Sequence, residues 1–280
     1  MFPNISSTSR FACLALVIAV SFTSSPLFAQ ESSVLEEGLG ALNSGDYEVA
    51  AEKFAAGFEA GEVDGAFFLG RMLELGLGGT PDLRAAVGLY IAGSARDSGP
   101  AKNRLGVLHI QGNGVLQNYE EGATLVCAAA ELGDVNGAFN CGSLLLEGKG
   151  AEQDEVKAYE WFKVAADQGH IGAKNQYANG LIEGKFVEQD VVIAVQLFQQ
   201  TAAEGNPVGL YSLGQAFAAG LGVDQNLVKA HSYFNLAAAL QHPQAAAARQ
   251  ALESQMVAED VRSAQQMANA WRPNVSVATQ

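Results

Sequence analysis

Positive charge is what this sequence most conspicuously lacks: 16 lysines and arginines stand against 30 aspartates and glutamates, a formal charge of −14. A chain this acidic repels phosphate backbones and anionic lipid surfaces, which excludes nucleic acid and peripheral membrane as favoured partners. Proline is sparse, at 7 of 280 residues, while 49% are hydrophobic, so a packed structure is expected and not a disordered one. Cysteine is sparser still, at three, with no CxxC pair and no Cys/His set at zinc spacing. The four histidines, His109, His170, His231 and His242, form no HxxxH pair. Neither Ser-x-x-Lys nor Gly-x-Ser-x-Gly occurs, which removes motif support for a penicillin-recognising or α/β-hydrolase enzyme. No residue pattern calls for a cofactor or a metal.

Long apolar runs are missing too, except at the N-terminus. Arg10 precedes an apolar stretch from Phe11 to Phe22, too short to span a bilayer, and Leu27-Phe28-Ala29 supplies a small-residue exit. Residues 1–29 read as a secretory signal cut after Ala29. A buried helix or membrane anchor is the alternative, and Pro26 with the polar residues after it breaks the run early. Cys13 lies near the start of the apolar stretch, where a lipid-attachment cysteine should end it. Cleavage removes Arg10 and leaves the mature chain at −15. Periplasmic residence is expected over full secretion, because nothing beyond the signal points across a second membrane.

What the sequence has in abundance is glycine and alanine at a fixed step. Leu69-Gly70, Leu105-Gly106, Cys141-Gly142, Tyr177-Ala178 and Leu213-Gly214 recur every 36 residues without insertion or deletion. Gly76, Gly112, Gly148, Gly184 and Gly220 keep the same step, with a second turn glycine two residues on that Phe186 replaces in the fourth unit. The small column at 70, 106, 142, 178 and 214 and another at 86, 122, 158, 194 and 230 mark two helices that cross closely. The Gly-x-Gly turn ends the first helix. Asp82, Asn118, Asp154, Asp190 and Asn226 stand where N-caps of the second are needed. Tyr90, Val126, Phe162, Phe198 and Phe234 fill the core. The expected units are 62–97, 98–133, 134–169, 170–205 and 206–241, flanked by a capping hairpin at 30–61 and capping helices at 242–272, with a disordered tail at 273–280.

These residues resemble the Sel1-like repeat family, related to the tetratricopeptide repeats. Its pattern is nearly spelled out from Gly222-Val223 through Ala238, and in Lys157-Ala158, Trp161-Phe162 and Ala165-Ala166. The departures are Leu73, His109, Leu145, Leu181 and Phe217 at the usual Tyr position, and a fourth unit without Leu-Gly. The resemblance implies an all-α fold, a right-handed α/α superhelical solenoid of 36-residue helical hairpins, whose concave face of first helices docks proteins or peptides. His109, in a core column, is expected to be packed and not catalytic.

If the first helices line a groove as the relatives' do, the exposed stripe lies three residues before and one and five after the Leu-Gly glycine. Arg71, Asn103, Phe139, Ser143, Asn175, Asn179, Tyr211 and Gln215 are the expected partner-binding residues. The amides of Asn175, Asn179 and Gln215 could grip a peptide main chain; solvated surface residues are the bland alternative. Arg71 alone brings positive charge to the stripe, so strong hold on a carboxylate is not expected. Glu147 and Glu183 occupy equivalent positions but read as solvated acids. Cys127 and Cys141 lie seven residues either side of residue 134, at similar height on antiparallel helices. A disulfide between them is geometrically reasonable, and two buried thiols are the alternative. The resemblance adds a cysteine-rich branch that staples this same hairpin nearer its turn. The leading expectation is a scaffold that binds a protein or peptide of the cell envelope; a cell-wall or β-lactam-acting enzyme and a structural spacer are the rivals.

Overall fold

The computed structural model describes residues 33–274; the segment read as a signal and residues 275–280 lie outside the described residues. Within the unit that begins at Ser33, fourteen helices follow one another and no strand occurs among the described residues. Helices α1 (Val34–Ser44) and α2 (Tyr47–Ala60) form the first hairpin. Five more follow: α3 (Gly65–Leu75) with α4 (Leu83–Ser94), α5 (Gly99–Gln111) with α6 (Tyr119–Glu131), and α7 (Val135–Glu147) with α8 (Glu155–Asp167). Then come α9 (Ile171–Glu183) with α10 (Val191–Ala203) and α11 (Pro207–Ala219) with α12 (Leu227–Ala239). Helices α13 (Ala245–Glu253) and α14 (Ala258–Ala270) both pack on α12. From α1 to α13 each helix packs against the next in sequence, the hallmark of a solenoid, and the all-helical hairpin fold expected from the repeat is the one observed.

Local chemistry explains the boundaries. Asp82, Asn118, Asp154, Asp190 and Asn226 each accept the backbone N–H three residues on, at 2.9 to 3.1 Å. Such a cap is worth about 1 kcal/mol. The first helices of the five repeats end at Gly76, Gly112, Gly148, Gly184 and Gly220, all with φ between 63° and 70°, a conformation that side chains resist. Phe186 escapes the positive φ of its column and stacks on Tyr159 at 5.6 Å.

Packing explains the small column. A Cβ on Gly70 would lie 2.6 Å from the Tyr90 ring, one on Gly142 2.8 Å from the Phe162 ring, and one on Gly214 2.7 Å from the Phe234 ring. The rings of the second helices fill the space that the glycines leave, and Tyr90, Phe162 and Phe198 are fully buried.

A further column joins the repeats. Gly61, Asp97, Gly133, Gly169, Gly205 and Gln241 share a left-handed backbone, two of them without being glycine. The next first helix then begins on a capping side chain: Ser98, Asp134, His170 or Asn206. His170 caps through Nδ1, which accepts the Ala173 N–H at 3.0 Å, so that nitrogen carries no proton. Burial pushes the His170 pKa below 6.5.

Two expectations need correction. His109 is not a core residue: it is half-buried, and its Nδ1 lies 3.2 Å from the Leu116 carbonyl, because the imidazole reaches the polar loop where Leu145 and Leu181 stay in the core. Residues 273 and 274, expected in the tail, are held against the fourth repeat, where the Asn274 N–H donates to the Ala203 carbonyl at 2.7 Å.

Cys127 on α6 and Cys141 on α7 are joined as a disulfide, with Cα atoms 4.9 Å apart. It ties the second repeat to the third across their junction. Closing a loop of 14 residues' separation is worth about 3 kcal/mol in the chain-entropy model.

Three outcomes follow for stability. Gln241→Gly should raise stability by about 1 kcal/mol in urea titration by removing a side chain from a left-handed residue. Reduction of Cys127–Cys141 should lower it by about 3 kcal/mol, and the Cys127→Ala/Cys141→Ala protein should show no further loss on reduction. Because the folded-state pKa of His170 is depressed, its contribution is complete above pH 6.5 and is lost as pH falls below that value. His170→Asn keeps a cap acceptor that cannot be protonated, so thermal melts from pH 7 to pH 5 should show a smaller decline for the variant than for the wild type.

Candidate functional site

First helices run side by side along one face. Helix α3 touches α5 and α5 touches α7, and neighbouring second helices keep further apart than these, so α3, α5 and α7 mark the inner row to which the first helices belong. The residues expected to bind a partner divide by where their repeat sets them.

The column three residues before each small residue does not open uniformly into the groove. In three repeats it meets the residue that follows the left-handed junction position, which in two of them, His170 and Asn206, caps the next first helix. Phe139 stacks on His170 at 4.4 Å and Tyr211 on His242 at 4.1 Å. Asn175 is the correction here: it is 5% exposed, donates from Nδ2 to Asn206 Oδ1 at 2.9 Å and accepts from the Thr201 hydroxyl at 2.8 Å. Its amide is consumed in the junction between the fourth and fifth repeats, where polar neighbours replace the aromatic stack. A partner cannot reach it.

Five of the other positions lie in two concavities. In the first, of about 420 Å³, Arg71 and Phe67 from α3, Asn103, Arg104 and Val107 from α5, and Asn136, Phe139 and Asn140 from α7 share the lining with Pro100, Asp134 and His170. In the second, of about 290 Å³, Asn179 and Glu183 from α9 meet Ser212 and Gln215 from α11 over Ile182 and Phe198. Gln215 donates to the Tyr211 hydroxyl at 3.2 Å, while the Asn179 amide makes no hydrogen bond among the described residues. Ser143 lines neither, its hydroxyl donating to the Phe139 carbonyl of its own helix at 3.0 Å.

Arg71 is not alone, and it is not unpaired. Its Nη1 donates to Glu74 Oε2 at 2.9 Å. Arg104, across the repeat junction, donates to both Glu74 oxygens, and the Tyr90 hydroxyl donates to Oε2 at 2.6 Å. Burial would raise the Glu74 carboxyl, but the bonds from Arg104, Tyr90 and Arg71 hold it at about 2. Glu74 is therefore ionised at any ordinary pH, and it locks two guanidinium groups on one side of the concavity. Burial, reinforced by Glu74, pushes the Tyr90 hydroxyl well above its usual pKa. Asp134 shares the lining and accepts the Gly137 N–H at 2.5 Å; burial raises its pKa, with Asp64 adding to the rise.

Arg104 and Asn140 escaped the periodic reading because they stand one position off the stripe. Their column, Phe68, Arg104, Asn140, Gln176 and Ser212, is polar in four of five repeats, and that polarity within a packed first helix was the available signal. Among the described residues no three His, Cys, Asp or Glu side chains gather as a metal site, and no helix is long and apolar enough to cross a membrane.

Among solved structures, the chain is similar to a protective antigen of uropathogenic Escherichia coli displaying an SLR fold, at 27% identity and a TM-score of 0.70. That match covers 82% of this chain and 52% of the other, so the chain spans about half the length of that relative. It is also similar in fold to a Sel1 repeat protein from Oxalobacter formigenes, at 20% identity and a TM-score of 0.69, covering 87% of this chain and 99% of the other. No curated protein matches the sequence. The Sel1 repeat profile matches residues 63–98, 99–134, 135–170, 173–206 and 207–242, more than half of the chain. Five unbroken hairpins, their shared cap and glycine columns and this match together place the chain in the Sel1 repeat family.

Proposed function

We propose that the protein is a binding scaffold of the bacterial cell envelope that holds a protein or peptide on its inner row of first helices. One observation carries the reading: the row encloses two concavities whose side chains keep polar groups unspent by the fold, Arg71 with Asn103 in one and Asn179 with Gln215 in the other. In the first concavity these polar groups stand beside two half-buried rings, Phe67 and Phe139. The mixture of apolar wall and few polar contacts is what a peptide site requires. Residence in the envelope is supported by the signal-like N-terminal segment and by a Cys127–Cys141 pair suited to an oxidising compartment.

The test places a photoreactive phenylalanine analogue at Asn179 or Gln215 on the inner row, and at Ile91 or Val164 on exposed positions of second helices. Irradiation in the native envelope should yield a discrete adduct from the inner positions and not from the outer pair. Adducts only from Ile91 or Val164 would move the working surface to the outer helices. None from any position would leave a spacer as the reading to adopt.

A further inference from the structure

The first concavity is more specific than a general docking face. The Asn140 amide donates from Nδ2 to Asn103 Oδ1 at 2.9 Å, bridging α5 and α7. That bond leaves Asn103 Nδ2 as an unspent donor and Asn140 Oδ1 as an unspent acceptor, the complement of one main-chain peptide group. Arg71 uses Nη1 on Glu74, so Nε and Nη2 carry donors unused among the described residues. Arg104 spends Nε and Nη2 on Glu74 and keeps Nη1. Phe67, Val107 and Phe139 supply apolar wall between these groups.

Charge narrows the occupant. The two guanidinium groups share a single carboxylate, Glu74, and that side of the concavity is net positive. Asp134, with Asp64 near it, adds negative charge to the same lining. The chain as a whole carries −14, so an acidic segment is repelled at long range, whereas a neutral or basic segment with one carboxylate is not. A C-terminus offers a carboxylate directly beside a peptide group, matching the arginine pair and the asparagine pair in turn.

We propose that this concavity between α3, α5 and α7 binds the free C-terminus of a neutral or basic peptide, with the terminal carboxylate on Arg71 and Arg104 and the preceding peptide group on Asn103 and Asn140. The last side chain lies against Phe67, Val107 and Phe139, and a basic residue upstream faces Asp134. The inference rests on the inner row being the binding face.

The probe is the N-acetylated tripeptide Lys-Ala-Leu with a free carboxylate, compared with its C-terminal amide, titrated into isotope-labelled protein and followed by amide chemical shifts. The free acid should perturb α3, α5 and α7, and the amide should bind about tenfold more weakly, as expected for loss of a charge-assisted bond. Arg71→Gln should bring the acid down to the level of the amide. Asn103→Asp, which keeps the acceptor for Asn140 and so leaves the α5–α7 bridge intact, removes the donor to the peptide group and should weaken the acid and the amide both. Equal binding of acid and amide, absence of binding by both, or perturbation confined to α9 and α11 overturns the assignment. Adducts from the inner positions 179 and 215 would then show the wider scaffold reading still standing, and their absence as well would remove both.

Discussion

Everything in this molecule depends on how closely two helices of a hairpin can approach. A small residue on each first helix faces a large side chain on the second, as Gly70 faces Tyr90, Gly142 faces Phe162 and Gly214 faces Phe234. The contact brings the axes together, buries the ring completely and fixes the height of one helix against the other. Capping side chains and left-handed turn residues then set where each helix starts and stops. Because the same contact recurs at a constant step, each hairpin presents the same face to its neighbour, and stacking is the way that face is buried.

The inner row of first helices is a product of that stacking. Side chains of neighbouring repeats meet there at fixed offsets, and the chain uses the meeting points differently along its length. Between the fourth and fifth repeats they are closed by Asn175, Thr201 and Asn206, all polar groups satisfied internally. Between the first and second, Glu74 gathers Arg71, Arg104 and Tyr90 and leaves guanidinium donors pointing outward. The binding reading comes from this contrast between junctions that spend their polar groups and concavities that do not.

The repeat register, the caps and the turn glycines were readable because each is a local requirement written at a constant interval. A capping aspartate acts on its own helix, and a turn glycine answers to its own backbone angle. The groove was less readable, since whether a first-helix side chain reaches solvent depends on the angle between repeats, which periodicity does not encode. Asn175 looked exposed by its position and is buried by its neighbours' polarity. Arg71 looked like a lone cation and is one of two that share Glu74. Arg104 and Asn140 lie one residue off the expected stripe, in a column that also brings Ser212 into the second concavity. His109 took a core column and left it, since its ring had a loop carbonyl to bind.

Substitution of Gly142 by Ala, alone and together with Phe162→Leu, measured by urea denaturation, tests the founding contact most directly. Helix propensity alone favours Ala over Gly by about 1 kcal/mol. The packing places the new methyl 2.8 Å from the Phe162 ring and 2.9 Å from the Ala158 carbonyl. Gly142→Ala should therefore lose about 1 to 3 kcal/mol through overpacking, and in the Phe162→Leu background the same change should cost distinctly less. A Gly142→Ala protein as stable as the wild type or more so would contradict the claim that close crossing at the small column sets the hairpin, and with it the placement of α7 in the groove.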